Sequence, residues 1–124
     1  MTDELPETLL ESTLASLHDV LEEDFSEVIA LYLQKTPELI SLMANSYESK
    51  NLTKAAEAAH TIKGSSSNLG LQRMVWLGTQ LEDVLRQDEH QFQDYQSLYE
   101  QIVDAYDGAQ KRLLQYCKEH QVRL

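Results

Sequence analysis

Ala59-His60-Thr61-Ile62-Lys63-Gly64-Ser65-Ser66-Ser67-Asn68-Leu69-Gly70 is the stretch of this chain whose residue types and spacing can do chemistry. On a helical wheel Leu52, Ala55, Ala59, Ile62, Ser66 and Leu69 share one stripe that faces a core, and His60 lies well off it. Near neutral pH an exposed imidazole is largely uncharged and carries a free nitrogen lone pair, so His60 suits nucleophilic attack, including attack on phosphorus. One and two turns along its flank stand Lys63, Gly64 and Ser67: a cation, a missing side chain and a small hydroxyl. Lys63 can offset charge on transferring oxygens, which is most of what phosphoryl transfer asks of a protein. An ordinary solvated lysine is the commoner explanation for such a residue taken alone.

Gly64, three serines and Asn68 make a poor helix sequence, with glycine costing roughly 1 kcal/mol against alanine. Two readings fit Gly64. It clears space for a macromolecule approaching His60, or it permits close helix packing or marks the end of the helix.

The elements that must hold this segment are helical. Glycines and prolines are few, and Leu, Ala, Gln and Glu dominate. A first amphipathic helix is expected from about Glu7 to Leu21. A second is capped by Asp24 and carries Phe25, Val28, Ile29, Tyr32, Leu33, Leu39, Ile40, Met43 and Tyr47, with Pro37 marking a kink or a restart. Asn51 is placed to cap the third helix and Gly70 to stop it. The fourth is expected from about Leu71 to Arg86, with Leu71, Met74, Leu77 or Gly78, Leu81 and Leu85 inward, and Gln87 to His90 form a turn. The last helix carries a seam of Phe92, Tyr95, Tyr99, Ile102, Tyr106, Ala109, Leu113 and Tyr116. The expected fold is all-α, an antiparallel four-helix bundle with a short additional N-terminal helix. It forms one domain over residues 1–124, with a tail at 1–6 and a core at about 7–120.

A formal net charge of −11 and ten scattered basic residues exclude a nucleic-acid partner. The longest apolar run, Val28 to Leu33, is too short to span a membrane, and the acidic N-terminus lacks the features of a secretion signal. With the single cysteine Cys117, this points to a cytoplasmic protein. Glu57-Ala-Ala-His60 has the Glu-x-x-His spacing of di-iron bundles, but neither His18, His90 nor His120 completes a second copy. Cys117-Lys-Glu-His120 gives one pair of possible ligands and no partner pair, so no metal site is expected. His18 and His90 read as ordinary surface or helix-end residues.

Ala-His-x-Ile-Lys-Gly followed by small residues and Leu-Gly resembles the signature of histidine-containing phosphotransfer (HPt) domains, intermediate carriers of bacterial multistep phosphorelays. A kinked helix ahead of the motif, the Leu77 to Glu82 segment and the long terminal helix extend the resemblance over roughly Ser12 to Tyr116. The resemblance implies that His60 accepts the phosphoryl group, Lys63 stabilises it and Gly64 admits a receiver domain, with Ser67 at a small-residue position of the same face. It implies that Glu82 can orient the imidazole, although Glu82 also fits the solvated edge of its helix. The partners implied are response-regulator receiver domains, with a hybrid sensor kinase upstream and docking on an apolar patch for which Leu9, Leu10 and Leu14 are candidates. The chain itself is expected to act as a monomeric carrier rather than an enzyme, without a cofactor, Mg²⁺ belonging to the receiver. Two other readings stay open: the detached phosphoacceptor domain of a chemotaxis-type kinase, and a helical adaptor that works without phosphorylation.

Overall fold

The computed structural model describes residues 6–124, and every regular element in it is helical. The order is α1 (Glu11–Leu21), a single 3-10 turn at Glu22–Asp24, α2 (Phe25–Glu48), α3 (Leu52–Asn68), α4 (Gln72–Leu85) and α5 (Phe92–Glu119). Helices α2 to α5 are the four of the bundle, and α1 is the short additional one.

The core follows the periodic positions. Phe25, Ile29 and Met43 of α2, Ala55, Ala59 and Ile62 of α3, Met74, Leu77 and Leu81 of α4, and Ile102, Ala109 and Leu113 of α5 are fully buried. At about 25 cal/mol per Å² of apolar surface removed from water, burial of this kind is the main force that closes the bundle. The seam of α5 departs from expectation at its first residue: Phe92 is 59% exposed, because it lies at the open N-terminal end of the helix.

The first helix begins four residues later than expected. Leu10 is extended, and its backbone N–H donates to the Gly70 carbonyl at 2.7 Å, which pins the segment before α1 across the α3–α4 turn. Leu9 and Leu14 are buried there, so neither can serve as a docking residue, and of the three candidates only Leu10 is exposed. Nor does Asp24 cap α2: its side chain makes no cap hydrogen bond, and the 3-10 turn feeds the chain directly into the helix.

Pro37 lies inside α2, which runs through it from Phe25 to Glu48. A proline has no N–H to give to the carbonyl four residues back. That carbonyl belongs to Leu33, and the Tyr106 hydroxyl of α5 donates to it at 3.1 Å. Asn51 caps α3 as expected, its side chain accepting from Lys54 N–H at 3.1 Å. At the other end Gly70 adopts φ +74°, and Leu71 and Gly70 donate to the Ser66 and Ser67 carbonyls at 3.0 and 3.1 Å. This is a Schellman ending, which needs a left-handed residue where Gly70 stands.

Candidate functional site

Within α3, each residue of the small polar run goes to a different place. The Ser65 hydroxyl donates back to the Thr61 carbonyl at 3.1 Å. Ser66 is fully buried and shares a 2.8 Å hydrogen bond with the Tyr32 hydroxyl, while burial pushes the Tyr32 phenol up to about 12. Ser67 is exposed on the His60 flank and lines a cleft of about 460 Å³ with Leu10, Thr13, Val75, Trp76 and Thr79. At Gly64 an added Cβ would meet nothing within 4 Å, and the helix continues past it to Asn68. Gly64 therefore neither packs a helix nor ends one, and the open space above it favours the clearance reading.

The His60 side chain is 61% exposed, and its ring is held by one edge. Across the α3–α4 interface, the Glu82 carboxylate accepts from His60 Nδ1 at 3.1 Å. The same Glu82 oxygen, Oε1, accepts from Lys63 Nζ at 3.0 Å, and Oε2 accepts from Arg86 Nε at 2.9 Å. The Glu82 side chain is only 12% exposed. Partial burial pushes its carboxyl up, but the hydrogen bonds from Lys63, Arg86 and His60 together outweigh this and bring it to about 2.

The tautomer of His60 follows from this geometry. An ionised carboxylate only accepts, so Nδ1 carries the hydrogen and the neutral ring keeps its lone pair on Nε2. Among the described residues the only hydrogen bond of the ring is the one at Nδ1. The structure thus brings together His60, Lys63 and Glu82, the last of which faces the imidazole rather than forming a solvated edge of α4. It also brings in Arg86, which sequence reasoning did not select. The only signal for it was an i, i+4 Glu-to-Arg pair, a pattern common on any solvated helix. With two cations around one anion, the cluster carries a net positive charge beside the imidazole.

The metal candidates do not converge on His60. Cys117 is buried, and His120 instead stands with Glu119 and Glu11 in an exposed group where α5 ends and α1 begins. His18 is not an ordinary surface residue: its ring stacks on Phe25 at 4.3 Å and its Nδ1 lies 3.0 Å from the Tyr116 hydroxyl, tying α1 to α2 and α5. His90 is likewise partly buried, with Nε2 2.9 Å from the Tyr47 hydroxyl. Among the described residues no helix is long and apolar enough to cross a membrane.

Similarity to known proteins extends over most of the chain. The family model of the Hpt domain matches residues 27–112, a span containing His60, Lys63, Glu82 and Arg86. The phosphorelay intermediate protein YPD1 of Saccharomyces cerevisiae is 31% identical over 85 residues, covering 67% of this chain and 51% of the yeast protein. The chain thus spans about half the length of that relative. The crystal structure of histidine-containing phosphotransfer protein B from Pseudomonas aeruginosa PAO1 superposes with a TM-score of 0.83 at 22% identity, covering 90% of this chain and 96% of that one. It shows the same fold. The sequence relative is from a yeast, and the structure that shares the fold is from a bacterium. With the family model covering most of its length, this chain belongs to the Hpt domain family.

Proposed function

We propose that this protein is a phosphorelay carrier that takes a phosphoryl group from an aspartate of one receiver domain onto His60 Nε2 and passes it to an aspartate of another. The observation that carries this reading is the His60–Glu82 hydrogen bond, which leaves the lone pair on the nitrogen that faces away from α4.

In the forward step the Nε2 lone pair attacks phosphorus, an N–P bond forms, the P–O bond to the aspartyl oxygen breaks, and the carboxylate leaves. Nδ1 keeps its hydrogen, so the ring becomes positively charged as the bond forms. The Glu82 carboxylate is hydrogen-bonded to the edge of the ring where that charge develops, so its contribution grows along the reaction coordinate. Alone, it would also repel the incoming phosphoryl oxygens. Lys63 and Arg86 offset that repulsion, and Lys63, 31% exposed, can turn from Glu82 toward the phosphoryl group. Transfer back to a second aspartate runs through the same groups in reverse.

The receiver brings the acidic pocket and its Mg²⁺, and the carrier contributes the nucleophile and its orientation. Exposed Leu10 and Trp76, on the cleft beside Ser67, provide apolar surface for docking near His60. A hybrid sensor kinase supplies the upstream receiver, and the carrier acts as a monomer. Transfer of labelled phosphoryl from phosphorylated receiver domains to wild type and to His60→Gln tests the reading. Acid-labile label on wild type alone supports it. Folded wild type that accepts nothing from any receiver overturns it in favour of an adaptor or a kinase fragment.

A further inference from the structure

Three glycines lie inside helices, and one of them differs from the others. A Cβ added at Gly64 or Gly108 would meet nothing within 4 Å. At Gly78 of α4 it would lie 3.2 Å from Lys63 Cβ, 3.3 Å from the Ala59 carbonyl oxygen and 3.4 Å from Lys63 Cα. Two of these three are backbone atoms of α3, so accommodating them means moving the helix rather than turning a flexible side chain. The two residues touched are Ala59, directly before His60, and Lys63 itself. One turn further along α4 from Gly78 stands Glu82, whose Oε1 accepts from His60 Nδ1 at 3.1 Å and from Lys63 Nζ at 3.0 Å.

We propose that Gly78 is a positioning residue for His60: the missing side chain sets the separation of α3 and α4 at which one Glu82 oxygen reaches both the imidazole and Lys63. Both hydrogen bonds cross the interface that Gly78 closes. Their lengths leave little room for a wider gap, since an N–H···O bond weakens quickly beyond about 3.2 Å. Gly78 touches neither the ring nor an incoming phosphoryl group and acts only through Glu82. The proposal rests on the carrier function for its effect on transfer, but its structural content can be read from the ring itself.

The test is a graded series, Gly78→Ala and Gly78→Val, with Gly108→Ala as control. In each folded variant the ¹⁵N shifts of the His60 imidazole are recorded across pH, and transfer from a phosphorylated receiver is measured alongside. The wild-type ring is expected to show hydrogen on Nδ1. In Gly78→Ala the signature should move toward the mixed tautomers of a free imidazole, with transfer slowed about threefold. Gly78→Val should move it further and slow transfer by about tenfold or more, in keeping with the rate cost of sub-ångström misplacement. Gly108→Ala should change neither. Gly78→Ala is the milder variant and decides the matter if valine prevents folding. Unchanged His60 shifts in folded Gly78→Ala, and in Gly78→Val where it folds, overturn the proposal. If wild type accepts no phosphoryl group at all, the carrier function falls, and the imidazole shifts still decide the role of Gly78.

Discussion

Glu82 on α4 holds His60 on α3 by its Nδ1 edge at 3.1 Å, so a ring that is mostly in solvent has a defined tautomer and a defined free nitrogen. Residue 82 is a carboxylate here, and its separate contributions as an acceptor and as a charge can be divided by substitution. Glu82→Gln keeps an acceptor for the ring and is expected to retain transfer within a few-fold. Glu82→Ala removes the acceptor and is expected to slow transfer about tenfold, on the scale of a lost hydrogen bond to a charged group. Transfer kinetics of the two variants from one receiver provide the check, and equal rates for Ala and Gln would show that orientation contributes nothing.

Acid stability follows from the same carboxylate. Its folded value of about 2 lies below the ordinary 4.5, so the ionised form is favoured by folding. A depressed carboxyl contributes stability that is fully present above the unfolded value and is lost as pH falls toward the folded value. Wild type should therefore exceed Glu82→Gln in stability by about 1 kcal/mol above pH 5, a figure kept small because the cationic partners are partly exposed. The difference should shrink between pH 4.5 and about 2. Urea unfolding of both proteins across this range reads it directly.

The helices and their buried faces were legible in the sequence because periodicity reports burial, and the α2, α3 and α4 seams lie where their apolar positions place them. The start of α1 was not legible. Leu9 and Leu10 continue an apolar run, but a backbone bond to Gly70, sixty residues away, holds Leu10 extended. In the same way nothing in Thr36-Pro37 foretells that Tyr106 satisfies the Leu33 carbonyl, since that contact exists only once α2 and α5 are packed. His60, Lys63 and Gly64 could be singled out from one helix. Glu82 was reached through family resemblance, and Arg86 was missed, because both enter the site across a helix interface.

Lys63→Ala is expected to slow transfer by about tenfold, since a cation near the equatorial oxygens is lost and Glu82 is left less well neutralised. Arg86 still holds the other carboxylate oxygen, so the loss should be partial. Thermal stability should fall by about 1 kcal/mol or less, because the pair is partly exposed. Parallel measurement of transfer and melting separates the two effects; a melting collapse would assign Lys63 to structure.

Gly70→Ala and Gly64→Ala should act in opposite directions. At Gly70 the backbone is left-handed, and a Cβ would come within 2.7 Å of the Leu10 carbonyl oxygen and 2.9 Å of Thr13 Cβ. Substitution there should cost about 2 kcal/mol or more and loosen α1 from the α3–α4 turn. At Gly64 the space is open and the backbone helical, so alanine should stabilise the fold by up to about 1 kcal/mol. Because Gly64 lies one turn from His60, side-chain size there can be varied without disturbing the core. Gly64→Gln should fold as well as Gly64→Ala yet slow transfer from a receiver domain, chiefly by weakening the encounter. Binding of a receiver followed by calorimetry, alongside melting of the variants, distinguishes clearance from packing: equal receiver affinity for Gly, Ala and Gln at residue 64 would remove clearance as the reason for a glycine beside His60.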